Sequence, residues 1–375
     1  MIALLVTAVF VFLPAAVERH FNGVHSPPRV VSERARALHA RLLVVDLHAD
    51  SLLWGRDLLE HGRRGHVDLP RLLAGNVAVQ GFTVVTQTPR GQNLSRNDDR
   101  TDNVTLLALV QRWPPRTWAS LRERALYQAE RLRDTTQRSS GALTLIRTSG
   151  DLGEFLERRA GRRDLAAGFL GLEGAHSLGG DPDALDELHA AGYRMIAPVH
   201  FFDTAFAGSA HGVGKGGLTP AGRVLVAGLE RRSMLLDLAH ASERTLDDAL
   251  AVARRPVVVS HTGVKGTCDS PRNLSDAHLR GVARTGGVIG IGFWETAVCG
   301  FGPDAIARAV RHAVTVAGIE HVALGSDFDG AVSTPFDAGG MASLTEALMA
   351  EGFGDTDIAR VMGANAIRVL QAGLP

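Results

Sequence analysis

Eight apolar runs, each separated from the next by residues with helical character, constrain this chain more than any other feature. They fall at 42–48, 77–86, 167–173, 194–199, 234–240, 256–261, 287–293 and 321–327. Short continuous apolar runs bounded by turn residues read as buried strands. The stretches between them carry helix-start signals. Pro182-Asp183 opens 182–191, Thr219-Pro220 opens 219–231, and Ser242 caps 243–254 with Glu243 in its first turn. Ser275-Asp276 opens 276–285, Pro303-Asp304 opens 303–317, and Ser343 with Glu346 forms a capping box for 344–351. Eight strands alternating with helices predict an α/β chain folded as a parallel (β/α)8 barrel of TIM type. The spacing is uneven. About eighty residues lie between the second and third runs, with helical stretches at 103–113 and 116–137. They are expected as a helical excursion packed on the barrel, with Arg122, Arg124, Arg131 and Arg133 on a solvated helix face.

The ends of these runs carry the chemistry. Residues two apart on a strand point the same way, so His48 and Asp50 project together from the first strand tip. Glu173 ends the third strand, His200 the fourth, His240 the fifth, His261 the sixth and Asp327 the eighth. In a barrel of this kind all of them converge on the rim at the carboxyl ends of the strands. Taken singly, each has a plainer reading: a strand-end His is often a hydrogen-bonded core residue, and a strand-end Asp often caps the next helix. Seven such residues at one rim are better explained by divalent metal. Three histidines, Asp50 and Glu173 can surround two cations, with Glu173 as the natural bridge because each of its oxygens can take one ion. Nitrogen and oxygen ligands without thiolate suit zinc, with manganese or cobalt as substitutes. The charge left over suits polarisation of a carbonyl. Without metal, the buried carboxylates would be costly to keep ionised.

Composition sets the remaining bounds. A chain of 375 residues, 45% hydrophobic and 21% charged, can bury a large core as a globular enzyme. Zero formal net charge gives no sign of a nucleic-acid partner. Two cysteines, Cys268 and Cys299, exclude a disulfide framework and a cysteine-built zinc site. Both follow strand ends, so one bridge is conceivable; two separate thiols is the plainer expectation. Residues 2–17 are apolar apart from Thr7, too short to span a bilayer unaided, and lack a preceding Lys or Arg. They are expected to be an uncleaved N-terminal anchor holding the body outside the cytoplasm, with a buried first helix in a cytoplasmic protein as the alternative. Residues 18–33, with Pro27-Pro28, read as a linker, and 34–375 as the catalytic barrel. Residues 207–217 are Gly-rich and read as a mobile loop near the site, with His211 assigned to the surface.

From about residue 40 onward the chain resembles the membrane dipeptidase (renal dipeptidase) family of the amidohydrolase superfamily. The resemblance rests on an ordered set of motifs: Val45-Asp46-Leu47-His48-Ala49-Asp50, His66-Val67-Asp68-Leu69-Pro70 with Gln80-Gly81-Phe82, and Gly171-Leu172-Glu173-Gly174. Pro198-Val199-His200, Leu236-Asp237-Leu238-Ala239-His240 and Val259-Ser260-His261 follow. Pro271-Arg272-Asn273-Leu274, Leu324-Gly325-Ser326-Asp327-Phe328-Asp329-Gly330 and Gly363-Ala364-Asn365 complete it. The resemblance implies that His48 and Asp50 hold one zinc with Glu173, which bridges to a second zinc on His240 and His261. It implies a metal-bridging hydroxide as nucleophile and Asp327 as the group that takes its proton and returns one to the leaving amine. His200 would contact the scissile carbonyl or the oxyanion, and Arg272 the free carboxylate of a dipeptide, for which a guanidinium is the best-shaped side chain. A salt bridge from Arg272 to Asp269 or Asp276 is the structural alternative. The family's tolerance of a C-terminal D-residue is a further implication; a homodimer is left open, because the sequence does not give the oligomeric state. Phe201-Phe202-Asp203 departs from the polar residues common after this histidine, which leaves side-chain preference open. Two other readings compete: a related binuclear hydrolase of lactams or N-acyl amino acids, and a catalytically silent, membrane-tethered binding protein, against which Asp327 argues.

Overall fold

A computed structural model of the chain describes residues 13–25 and 29–375. Among the described residues nine strands form: β1 Val44–Ala49, β2 Val77–Val85, β3 Leu143–Leu145, β4 Ala166–Glu173, β5 Tyr193–Ile196, β6 Leu235–Leu236, β7 Val258–Thr262, β8 Val288–Ile291 and β9 Val322–Leu324. Eight run in the spatial order β6-β5-β4-β2-β1-β9-β8-β7, and every pairing is parallel. A parallel bridge between Asp237 and Val258 joins the two ends of that order. The eight runs predicted from sequence are thus the eight staves of a TIM-type barrel. Parallel strands are covered on both faces, so they need no polar alternation. All six residues of β1 and all nine of β2 are buried. Gly325 shows how tightly the staves approach: a Cβ there would lie 1.8 Å from Ser260 O.

Strand β3 was not expected. It pairs with Ala166–Gly168 of β4, on the edge that β5 takes over from Leu170. At three residues it is too short to stand out by apolar pattern. The helices 219–231, 243–254, 276–285 and 303–317 appear as Pro220–Arg231, Glu243–Val252, Asp276–Arg284 and Pro303–Ala317. Thr219, Ser242 and Ser275 cap the first three. The capping box at Ser343 does not form. The helix there is Ala342–Ala350, begins at Met341 without a side-chain cap, and sends Glu346 to accept from Ser32 N and Oγ.

The excursion packs as helices Asn103–Val110 and Leu121–Arg138. Arg133 is exposed and the Arg122 side chain is largely solvated, as expected, but Arg124 and Arg131 correct the solvated-face expectation. Arg124 is buried and donates to Thr117 O, Thr86 O and Trp118 O, to Asp102 and to Thr105 Oγ1. Arg131 is half-buried and donates to Leu52 O, Trp54 O and Arg56 O. Loop carbonyls packed away from water need donors, and a guanidinium offers five. Arg131 thereby fixes the segment that leaves β1 just beyond Asp50.

Of the apolar stretch 2–17, residues 2–12 lie outside the described residues. Among the described residues no helix is long and apolar enough to cross a membrane. Residues 18–25, read as the start of a linker, dock against the barrel. Glu18 is buried in ion pairs with Arg56 and Arg64, and Val24 bridges to Thr334. Cys268 and Cys299 form a disulfide, which corrects the expectation of two separate thiols. Their loops follow β7 and β8, neighbouring staves, a proximity that only the closed barrel creates.

Candidate active site

The structure brings His48, Asp50, Glu173, His200, His240, His261, Arg272 and Asp327 to one end of the barrel, and all are buried. His48 lies in β1, Glu173 closes β4 and His261 lies in β7. Glu173 is the hub. Its Oε2 lies 3.6 Å from His48 Nε2 and 3.5 Å from His200 Nε2. Its Oε1 lies 2.9 Å from His240 Nε2 and 3.3 Å from His261 Nε2. His48 Nε2 is also 3.6 Å from Asp50 Oδ1 and 4.0 Å from Asp327 Oδ1, and the Nε2 atoms of His240 and His261 are 3.1 Å apart. Two ligands on one tetrahedral ion, each about 2.1 Å from it, lie roughly 3.4 Å apart. The spacings therefore fit divalent metal on both sides of Glu173. Three overlapping sets could hold an ion: His48, Glu173 and His261; Glu173, His200 and His240; and His48, Asp50 and Asp327. His48 Nε2 and Glu173 Oε1 are buried without hydrogen-bond partners, as atoms that await a ligand would be.

Electrostatics agree. Burial pushes Glu173 up to about 7, with His48 opposing and Asp50 adding to the rise. Burial likewise raises Asp327 well above the usual carboxylate range. His200, His240 and His261 are driven well below the usual imidazole range, chiefly by burial and then by neighbouring imidazoles and Arg272. They are neutral and keep lone pairs for ligation. His48 goes the other way: burial opposes its charge, but Glu173 and Asp50 outweigh that. The raised Glu173 and Asp327 and the charge drawn onto His48 are all responses to negative charge crowded into a buried site, which divalent cations would offset.

Polar residues behind the ligands orient them. Ser260 Oγ lies 3.0 Å from both His48 Nδ1 and His261 Nδ1, so one hydroxyl can accept from both rings and leave each Nε2 free to ligate. Thr83 Oγ1 donates to Asp50 Oδ1 at 2.6 Å. Asp46 accepts from Ser326 N, Ser326 Oγ and Gln80 Nε2, and Asp237 accepts from Ala239 N and Ser260 N. Asp329 accepts from Ser51 Oγ, Arg56 Nη2 and His66 N at 2.6 Å each. It thereby joins the segment after Asp50 to the one after Asp327. His240 and Asp327 both adopt left-handed backbone, with φ of 60° and 62°. For non-glycine residues this is uncommon and clusters at functional sites.

The sequence reading missed these supporting residues, although Asp46 and Asp237 left a signal: a carboxylate inside an apolar run. His211 corrects its surface assignment. It is fully buried, and that burial pushes it down to about 4. Arg272 pairs with neither Asp269 nor Asp276. Its Nη2 donates to His261 O at 2.8 Å, and its guanidinium lies over Trp294, 5.6 Å from the ring centre. Among the described residues it has no ion-paired carboxylate, so a buried cation faces the site with its charge unmatched.

The chain is similar to known proteins in sequence and in fold. A family model described as membrane dipeptidase (peptidase family M19) matches residues 32–373. Dipeptidase verJ of Clonostachys rogersoniana is 30% identical over 317 residues, which cover 83% of this chain and 76% of that protein. Dipeptidase tcpJ of Claviceps purpurea (strain 20.1) is 29% identical over 319 residues, 82% of this chain and 69% of that protein. Among solved structures, a metallo peptidase from Rhodobacter sphaeroides, liganded with a phosphinate mimic of the dipeptide L-Ala-D-Ala, superposes with a TM-score of 0.73 at 26% identity. It covers 88% of this chain and 99% of its own. The probable dipeptidase PvdM from Pseudomonas aeruginosa has the same fold, with a TM-score of 0.76 at 20% identity over 91% of this chain and 97% of its own.

Proposed function

The chain belongs to the membrane dipeptidase family, peptidase family M19, and from that premise we propose that it is a two-zinc enzyme cleaving dipeptides with a free C-terminal carboxylate, those ending in a D-residue included. The observation that carries this reading is Glu173, whose one oxygen faces His48 while the other faces His240 and His261. His48 and Asp50 would hold one ion with Glu173, and His240 and His261 the other. Bound there, two divalent cations would supply Lewis acidity to the scissile carbonyl and lower the pKa of a water. An all-nitrogen and oxygen donor set favours zinc, with manganese and cobalt as functional substitutes.

The chain's own groups do the rest. Arg272, buried without a carboxylate partner, takes the substrate carboxylate in a forked contact and sets which end of the dipeptide enters. Asp327, whose burial favours a bound proton, accepts one at its carboxylate and gives one to the departing amine. His200 is neutral, and its imidazole N–H can donate to the carbonyl oxygen as negative charge develops. The D-residue assignment takes support from the Rhodobacter sphaeroides protein, solved with a mimic of L-Ala-D-Ala. The bridged Cys268 and Cys299 support a compartment outside the reducing cytoplasm.

Metal analysis and a substrate panel test the reading together. The purified chain should hold two zinc ions, and His200→Ala should retain both. The panel comprises L-L and L-D dipeptides, N-acetylated dipeptides and lactams, with Asp327→Asn as the control. Hydrolysis of free dipeptides, lost in Asp327→Asn, is the expected outcome. One zinc per chain, or turnover confined to lactams or N-acyl substrates, would overturn it.

A further inference from the structure

His211 sits in the loop that joins β5 to the helix Pro220–Arg231. It is fully buried, so no substrate reaches it directly. Its Nδ1 lies 2.9 Å from Leu94 O. Its carbonyl accepts from Asn97 N at 2.7 Å and from Asn97 Nδ2 at 3.0 Å. The residue thus pins its loop to the 93–97 segment of the excursion. Its ring stacks on Phe201 and lies edge-on to His240, with centroids 5.1 and 5.4 Å apart. Among the described residues, His211 Nε2 is buried and has no hydrogen-bond partner, and neither has His240 Nδ1.

The protons on these two rings follow from their other contacts. A carbonyl oxygen only accepts, so His211 carries its hydrogen on Nδ1 and presents Nε2 as a lone pair. His240 turns Nε2 toward Glu173 Oε1 and His261 Nε2, at 2.9 and 3.1 Å. To ligate there it must offer that lone pair, which leaves its hydrogen on Nδ1. Two orphaned nitrogens in touching rings are therefore one donor and one acceptor. A metal-ligating histidine almost always donates its far N–H to a partner. His48 and His261 have such a partner in Ser260 Oγ; His240 has none.

We propose that His211 is the positioning residue for His240: its Nε2 accepts the His240 Nδ1 hydrogen through one bridging water, and so links a metal ligand to the Leu94 carbonyl. The inference rests on the reading of His240 as a ligand. It gives the excursion a part in the active site. The 93–97 segment selects the tautomer of His211, and His211 selects which nitrogen of His240 faces the metal.

Two variants of the full chain test this. His211→Phe keeps a flat ring against Phe201 but removes the acceptor; His211→Gln restores an acceptor oxygen. Zinc affinity is measured by chelator competition, and the tautomers by long-range proton–nitrogen NMR of the wild type, His211 in the metal-free protein and His240 in the zinc-loaded one. The phenylalanine variant should bind one of its two zinc ions about 10- to 100-fold more weakly. KM at saturating zinc should not change, and the glutamine variant should recover most of the affinity. His211 and His240 should both carry hydrogen on Nδ1. Wild-type zinc affinity in a folded His211→Phe, or hydrogen on His211 Nε2, overturns the proposal. If both variants fail to fold, the wild-type tautomers decide it. If His240→Ala holds both ions as tightly as wild type, the ligand assignment fails and this inference with it. The metal-free tautomer of His211 distinguishes that failure, because the Leu94 carbonyl sets it without zinc.

Discussion

Arg272→Met should move stability and activity in opposite directions. The guanidinium is buried, donates one hydrogen bond to His261 O, and lacks an ion-paired carboxylate. Burial pushes its pKa down, and the more distant Asp327 and Glu173 only partly offset that. A buried cation without its counterion destabilises the resting protein. Methionine fills much of the same volume without charge. The metal-free variant should therefore match the wild type within about 1 kcal/mol or exceed it, because one hydrogen bond of about that size is lost while an unmatched charge disappears. In the complex the balance reverses. Removing one partner of a buried, hydrogen-bonded charge pair costs about 2–4 kcal/mol, which at 1.36 kcal/mol per tenfold is a loss of roughly 30- to 900-fold in kcat/KM. A contact made equally in the ground and transition states is lost mainly through KM. Steady-state kinetics on a dipeptide and its C-terminal carboxamide, with urea unfolding of the metal-free proteins, reads both effects. An equal loss on the carboxamide would remove Arg272 from carboxylate recognition. A stability loss above about 3 kcal/mol would show that it belongs to the scaffold.

Other consequences follow from the same contacts. Arg124→Met strips donors from Thr86 O and Thr117 O and leaves Asp102 without its ion pair; a loss of about 3–5 kcal/mol is expected. With about 2.1 cal/mol/K of unfolding entropy per residue over 375 residues, calorimetry should find Tm about 4–6 °C lower. An unchanged Tm would mean that these bonds do not hold the excursion. Burial pushes His176 down to about 4, so between about pH 6.5 and 4 the unfolded chain binds more protons than the folded one. Stability conferred by neutral His176 is full above that window and declines as pH falls through it, by up to about 3 kcal/mol. Urea titrations of metal-free protein should give His176→Phe a shallower slope than the wild type; parallel slopes would refute the buried, neutral state. Replacing both Cys268 and Cys299 by Ser opens a link between residues 31 apart and should cost about 3.7 kcal/mol by chain entropy. Denaturation that is the same with and without reductant would contradict the bridge.

Local patterns reach a long way in this chain. His48 and Asp50 share a strand tip because side chains alternate, and Glu173 and His261 close runs whose apolar character marks them as buried. Eight such runs with capped helices between them leave little choice but a closed parallel barrel, and a barrel gathers its strand ends at one rim. The metal-ligand candidates were legible for that reason. What a side chain meets across the barrel was not. Arg124 and Arg131 sit in a helical, charged stretch that looks solvated until the carbonyls they satisfy are known. His211 looks like a loop residue until Leu94 and Phe201 enclose it.

The sequence by itself determined the staves, their order along the chain and the chemical class of the rim, because these depend on periodicity and on which residue ends each run. Only the tertiary structure decided what stands behind the rim. Ser260 is shared by two imidazoles, Asp329 joins Ser51 to His66, Cys268 meets Cys299, and Arg272 is buried with no carboxylate beside it. Ser51 and Asp329 are 278 residues apart along the chain and one hydrogen bond apart in space. Partners of that kind are set by barrel closure, and no local pattern encodes them.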